Sequence, residues 1–411
     1  MRKFVALALI QLMFVAACGG GGGYGGGGGS PPPPPPPMQT IATPGPPNVE
    51  TLTVDAGPAN GVNQPFVSVK VCAPATTNCK TIDHVWLDSG SSGLRILASV
   101  LSAAPALTLP PETNGVIPLA ECQKFVDGST WGTLAVADMQ LPVSGETASN
   151  LNVQVIGDPT YPVPADCTPP IETTVMTFGA NGILGVGPFI QDCGSACVST
   201  VIAGTYYSCP TPGSACTGTM ASLAQQVQNP VSVFVTDNNG VIVELPSVGS
   251  AGMTTVSGSV VFGIGTRTNN ALGTATVLPA DKTNAFITAT YKGTVYINGY
   301  VDSGSTGNFF TDSSFSACAS PNAGFYCPAS TMNETATLKG TSSSTLTANF
   351  SVANATTLFA TTSYSAFSNL GGPISDPKAL DLGLPFYYGH NVFTAIENAN
   401  TPGGIGPYFA Y

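Results

Sequence analysis

From about Asn48 to the C-terminus, apolar and polar side chains alternate in short runs, the period-two pattern of half-buried strands. VSVFVTDNNGVIVEL (231–245) is two such runs around Asn-Asn-Gly and predicts a hairpin. SGSVVFGIG (257–265), NAFITATYKGTVYINGYVDSG (284–304) and STLTANFSVAN (344–354) continue the pattern, rich in residues that pack well on a pleated surface. Helices are predicted only at ASLAQQVQ (221–228) and near Leu94–Leu101, and both are short. The expectation is an all-β protein. The roughly 360 residues after Asn48 suffice for two core-bearing lobes, 48–230 and 231–411.

The N-terminus has a different texture. Residues 1–18, MRKFVALALIQLMFVAAC, start basic and turn apolar, too briefly for a membrane span, and fit an export signal. The signal ends Val15-Ala16-Ala17-Cys18, which resembles a bacterial lipobox, where the cysteine is lipidated and becomes the first mature residue. Residues 19–47 include GGGGGYGGGGGS and seven consecutive prolines, a flexible coil followed by a stiff rod of about 20 Å. Such a segment cannot form a core, and it suits a tether. The expected location is therefore the bacterial cell envelope, with the membrane contacted through lipidated Cys18. Gly19, standing where an aspartate often retains lipoproteins at an inner membrane, favours the outer one.

Charge and cysteines sharpen this picture. Loss of Arg2 and Lys3 with the signal leaves nine basic against 22 acidic side chains, a net of −13, so nucleic acid is a poor partner. Setting Cys18 aside leaves ten cysteines, several close in sequence: Cys72 with Cys79, Cys193 with Cys197, Cys209 with Cys216, Cys318 with Cys327. In an exported chain these read as up to five disulfides, with Cys122 and Cys167 paired only by elimination. The irregular spacing of Cys193, Cys197, Cys209 and Cys216, with no histidine near, argues against zinc.

The candidate chemistry lies in VWLDSGSSGLRIL (85–97), an apolar run that ends on Asp88 and then turns on Ser89, Gly90 and Ser91. It recurs as YVDSGSTGNFF (300–310), with Asp302, Ser303, Gly304 and Ser305 in the same places. Each copy is followed by a Gly-bearing apolar segment, ANGILGVGP (180–188) and LDLGLPFYYGHNVFTAIE (380–397). One Asp-Ser-Gly carries little information, whereas two copies with matching downstream segments carry much more. The pair resembles the pepsin-like aspartic peptidases, with one Asp-[Thr/Ser]-Gly-[Ser/Thr] loop per lobe. That resemblance implies a bilobal (double-ψ) fold with the active-site cleft between lobes and a single chain acting as a monomer. It also implies an endopeptidase in which Asp88 and Asp302 share one proton and activate a water on a peptide or protein substrate, without metal or cofactor; pepsin is a standard example of such a shared proton. Ser91 and Ser305 would donate to the outer carboxylate oxygens, Ser89 and Ser303 would brace the loops, and Gly90 and Gly304 would allow close approach. The lipobox, tether and C-terminal TPGGIGPYFAY together also resemble an uncharacterised family of bacterial lipoproteins.

CQKFVDGSTWGTLAVADMQL (122–141) can be laid on that family's flap hairpin, which makes Phe125, Gly128 and Trp131 candidate flap or substrate-binding residues. Phe125 stands where a tyrosine is usual and Arg95 where a tryptophan is common, so both ends of a customary hydrogen bond have changed. Leu384-Pro385 likewise departs from the second-lobe pattern. These departures support an alternative, a non-catalytic surface lipoprotein that grips a peptide or polysaccharide in the same cleft. Other chemistries find no support. The chain holds two histidines, His84 and His390, and no Gly-x-Ser-x-Gly elbow, His-Glu-x-x-His or phosphate loop.

Overall fold

A computed structural model describes residues 39–411; the signal segment, Cys18 and the tether up to residue 38 lie outside the described residues. The chain is mostly β, built on two barrel-like sheets. Six strands of the first half close on themselves in the order Ser129–Gln140, Thr147–Ile156, Ser92–Leu97, Gly182–Val186, Cys79–Asp88, Pro65–Cys72, the last returning to the first through Lys70 opposite Gln140. The second half makes a near-closed seven-stranded sheet centred on Thr294–Val301, Ala379–Leu382 and Asn308–Phe310.

Burial explains which strands alternate. The outer hairpin of Met332–Lys339 and Thr345–Val352 shows one buried and one exposed face, as its polar-apolar text requires. Ser92–Leu97, Gly182–Val186 and Ala379–Leu382 are buried along their whole length, and these are the near-continuous apolar runs. Val85, Leu87, Leu94, Leu184 and Val186 of one lobe share a continuous core with Val301, Phe310, Leu380 and Leu382 of the other.

The sheet that holds the first barrel runs on into the second half of the chain. Val49–Val54 leaves the first barrel and pairs along its length with Val256–Phe262. Gly240–Glu244, Asn391–Ala395 and Tyr408–Ala410 continue this sheet, so both ends of the described chain are built into the layer joining the lobes.

Three local expectations change. The 231–245 hairpin does not form. Pro230–Val233 is instead a 3-10 turn, started by Pro230 and capped by the Asn229 side chain accepting from the Val231 N–H, and Gly240–Glu244 pairs with distant strands. Residues 221–228 make a turn rather than a helix, because Gln226 Nε2 donates to the Ala221 and Gly194 carbonyls and ties the segment down sideways. The 94–101 stretch divides into strand Ser92–Leu97 and the short helix Ala98–Ser102.

Five disulfides staple the loops: Cys72–Cys79, Cys122–Cys167, Cys193–Cys197, Cys209–Cys216 and Cys318–Cys327. They suit an extracytoplasmic protein and occupy the sulfurs weighed above as zinc ligands. No helix among the described residues is long and apolar enough to cross a membrane.

Candidate active site

The two acid loops sit on the same frame. In the first half, Gly182–Val186 lies between Cys79–Asp88, to which it is parallel, and Ser92–Leu97, to which it is antiparallel. In the second half, Ala379–Leu382 lies between Thr294–Val301 (parallel) and Asn308–Phe310 (antiparallel). The registers match: Trp86 faces Ile183 as Tyr300 faces Asp381, and Leu87 faces Leu184 as Val301 faces Leu382. Each frame delivers its aspartate at a strand end, toward the other lobe.

There the loops interlock. The Gly90 N–H donates to Asp88 Oδ1 at 2.7 Å and the Ser91 hydroxyl to Asp88 Oδ2. The Gly304 N–H donates to Asp302 Oδ1 at 2.7 Å and the Ser305 hydroxyl to Asp302 Oδ2 at 3.0 Å. A Cβ on Gly90 would stand 2.6 Å from Asp302 Cγ, and one on Gly304 would stand 2.5 Å from Asp88 Oδ1. Each carboxylate thus rests over the other loop's glycine, an approach that any side chain there would prevent. Beneath them, the Ser89 N–H donates to Ser303 Oγ at 3.0 Å and the Ser303 N–H to Ser89 Oγ at 2.9 Å.

This lower brace is symmetric except at one point. Ser303 Oγ donates to the Leu87 carbonyl at 2.9 Å, whereas Ser89 Oγ shares a hydrogen bond with the hydroxyl of Tyr387, also at 2.9 Å. Tyr387 is buried and comes from the short helix Leu384–Tyr387, the segment in which Leu384-Pro385 departs from the family pattern. No sequence motif marked it.

Burial pushes the Asp302 carboxyl well above the usual range, and the neighbouring acids Asp88 and Asp381 push it further. Asp381 is a third buried acid that the sequence reading missed. Burial raises it too, against a hydrogen bond from the Ser305 side chain and with a further contribution from Asp88, and its Oδ1 has no hydrogen-bond partner among the described residues.

The pair opens into a cavity of about 670 Å³ between the lobes, lined by both acid loops, Trp86, Ile183, Tyr300 and Phe309 among others. Phe125 and Val126 of the hairpin joining Ile117–Lys124 to Ser129–Gln140 reach over it, Val126 being 81% exposed. Phe125 packs edge-on against Phe178. Gly128 closes the hairpin turn through its carbonyl, which accepts from the Phe125 N–H, and does not line the cavity. Trp131 does not line it either. Paired with Cys122, it packs against Tyr207 beside the Cys122–Cys167 disulfide and donates to the Tyr161 carbonyl. As for the histidines, His84 sits near Asp55 and Asp83 on the surface side, and His390 stacks on Phe386.

Arg95 holds the root of the hairpin. Fully buried, its Nη2 donates to Glu121 (2.8 Å), Gln123 (3.0 Å) and Asp192 (2.9 Å), and its Nη1 to the Ser92 carbonyl (2.6 Å). Asp192 also accepts from Tyr206 at 2.6 Å. Burial and the Glu121 charge hold the Asp192 carboxyl well above its ordinary range despite Arg95.

A model of the family described as “Protein of unknown function (DUF3443)” matches residues 44–411, and the chain belongs to that family. No curated protein matches it.

Proposed function

We propose that this DUF3443 protein is a lipid-anchored cell-envelope aspartic endopeptidase of pepsin-like, double-ψ bilobal fold. The observation that carries the reading is the reciprocal seating of Asp88 over Gly304 and Asp302 over Gly90, with two donors fixing each carboxylate. Such fixing has a chemical use: an acid and a base held in one geometry need no reorganisation when charge develops.

In this reading a water lies between the two carboxyls. Asp88 takes a proton from it as its oxygen attacks the peptide carbonyl carbon, and Asp302 gives its proton to the carbonyl oxygen. Asp88 then passes its proton to the amide nitrogen, the C–N bond breaks, and Asp302 recovers a proton from the collapsing diol. The carbon side leaves as a carboxylic acid and the nitrogen side as an amine. Anchoring through Cys18 places this activity at the membrane surface, and the five disulfides agree with that side of the membrane.

The test is cleavage of a mixed peptide pool by the full-length protein in detergent at acid pH, with and without a statine-type inhibitor. Inhibitor-sensitive cleavage is expected, lost in Asp88→Asn and in Asp302→Asn, with the double variant little worse than either because the pair acts as a unit. Cleavage by Asp302→Asn equal to wild type refutes the dyad. Tight peptide binding without any cleavage would favour the alternative of a binding lipoprotein on the same scaffold.

A further inference from the structure

The two halves of the cleft share a backbone frame but not a chemistry. Ile183 and Asp381 occupy mirror positions, each two residues before the crossing glycine (Gly185 and Gly383) and each opposite an aromatic residue, Trp86 or Tyr300. Both line the cavity. Asp381 is only 2% exposed, its Oδ1 has no hydrogen-bond partner, and none of the ion pairs among the described residues involves it. The ionisable groups acting on it or acted on by it are Asp88, Asp302, Tyr300 and Tyr387, none of which is cationic. A buried, half-unsatisfied acid is costly to keep, and an apolar side chain of the Ile183 kind would fit the same frame without that cost. A cationic side chain of a ligand would supply the partner that Oδ1 lacks.

Resting on the hydrolytic reading above, we propose that Asp381 determines specificity: it makes the C-terminal half of the cleft a subsite for a lysine or arginine side chain of the substrate, while Ile183 makes the mirror subsite apolar. The substrate ammonium or guanidinium would meet Asp381 Oδ1 and displace the proton that burial holds on this carboxyl in the empty cleft. One proton leaves for each cation bound, so charge balances. Because the frame is two-fold and the side chains are not, the preference falls on one flank of the scissile bond only.

The experiment compares the full-length protein with Asp381→Ile and the near-isosteric Asp381→Asn, all checked for fold by circular dichroism; if Asp381→Ile fails to fold, Asp381→Asn carries the comparison. Cleavage sites in a peptide library are mapped by mass spectrometry, and in parallel two reduced-bond, non-cleavable peptides differing only in lysine against norleucine are bound by calorimetry. Expected are enrichment of lysine and arginine at one flank and roughly 100-fold tighter binding of the lysine peptide with proton release, both lost in the variants. Cleavage with no basic preference, or a preference that survives in the variants, overturns the proposal and leaves Asp381 a protonated structural acid beside Ser305. If nothing is cleaved, the peptidase reading falls. The binding pair then decides alone: lysine favoured by wild type and not by the variants supports the subsite, and equal binding of the two peptides by wild type rejects it.

Discussion

Replacing Arg95 with methionine removes the one cation from a site holding two acids. Arg95 and Glu121 have fully buried side chains and that of Asp192 is 4% exposed, so neither acid can turn to water. Arg95→Met leaves Glu121 and Asp192 with no counter-charge, and the protein must either bury carboxylate charge or take up a proton. Taking the proton from neutral solution costs about 1.4 kcal/mol for each pH unit above a reference value of about 4.3, or about 4 kcal/mol at pH 7. That matches the roughly 3–5 kcal/mol seen when one partner of a buried pair is removed. At pH 4.5 the uptake is almost free, and what remains is the lost packing and the hydrogen bonds to Ser92 and Gln123, about 1–2 kcal/mol. Urea unfolding with disulfides intact, at pH 7 and pH 4.5, reads both values. Adding Glu121→Gln to Arg95→Met should restore most of the neutral-pH loss. An equal loss at the two pH values, or one below about 1 kcal/mol at pH 7, would refute the description of Arg95 as the counter-charge of this site.

Other expectations follow from single features. Cys122–Cys167 closes a 45-residue separation and Cys193–Cys197 one of four, so chain-entropy reasoning gives losses of about 4 and about 2 kcal/mol for Cys→Ala pairs at these sites, measured by denaturant unfolding. Equal losses would contradict that reasoning. Glu172, beside the hairpin turn, is pushed up to about 7 by burial and by Asp127. Its raised value favours the folded state below about pH 4.5, an advantage lost as pH rises through 7, and partial exposure limits this to about 1 kcal/mol. Glu172→Gln should flatten that slope, and the protection factors of residues 124–129, with the intrinsic pH dependence of amide exchange divided out, should then no longer fall between pH 5 and pH 8. Cys18→Ser should abolish lipidation and release the protein from membranes on fractionation; a variant still in the membrane fraction would exclude the lipobox reading.

What could be read in advance was what repeats or is local. Asp88 and Asp302 stood out because one six-residue device occurs twice with a glycine-bearing strand after each copy, and the structure brings the two loops into contact. Neighbouring cysteines suggested their own pairing. Asp381 and Tyr387 are not legible in the segment 380–397, since an acid in an apolar strand says nothing about an empty side of its carboxylate, and a tyrosine says nothing about which serine it meets 298 residues away. Arg95 was visible only as a departure, because its meaning depends on Glu121 and Asp192 arriving from two other segments. The 231–245 misreading has the same root. Alternation announces a strand face, but Pro230 and the Asn229 cap turn the first arm away, and long-range partners claim the second.

The bond between Tyr387 and Ser89 has no counterpart on the other side, where Ser303 reaches the Leu87 carbonyl instead. Two identical subunits meeting about a two-fold axis could supply both aspartates and both serine braces, but every such bond would come in equal pairs. Their acids would be equivalent, and each turnover would have to choose afresh which one holds the proton. A single chain carrying both halves escapes that choice. Tyr387 on one side, and Asp381 set against Ile183, write the difference permanently into covalent structure, so the left and right of the cleft are distinguished before any ligand arrives. Fusion of the halves thus supplies a built-in polarity, a direction along which a bound chain can be read.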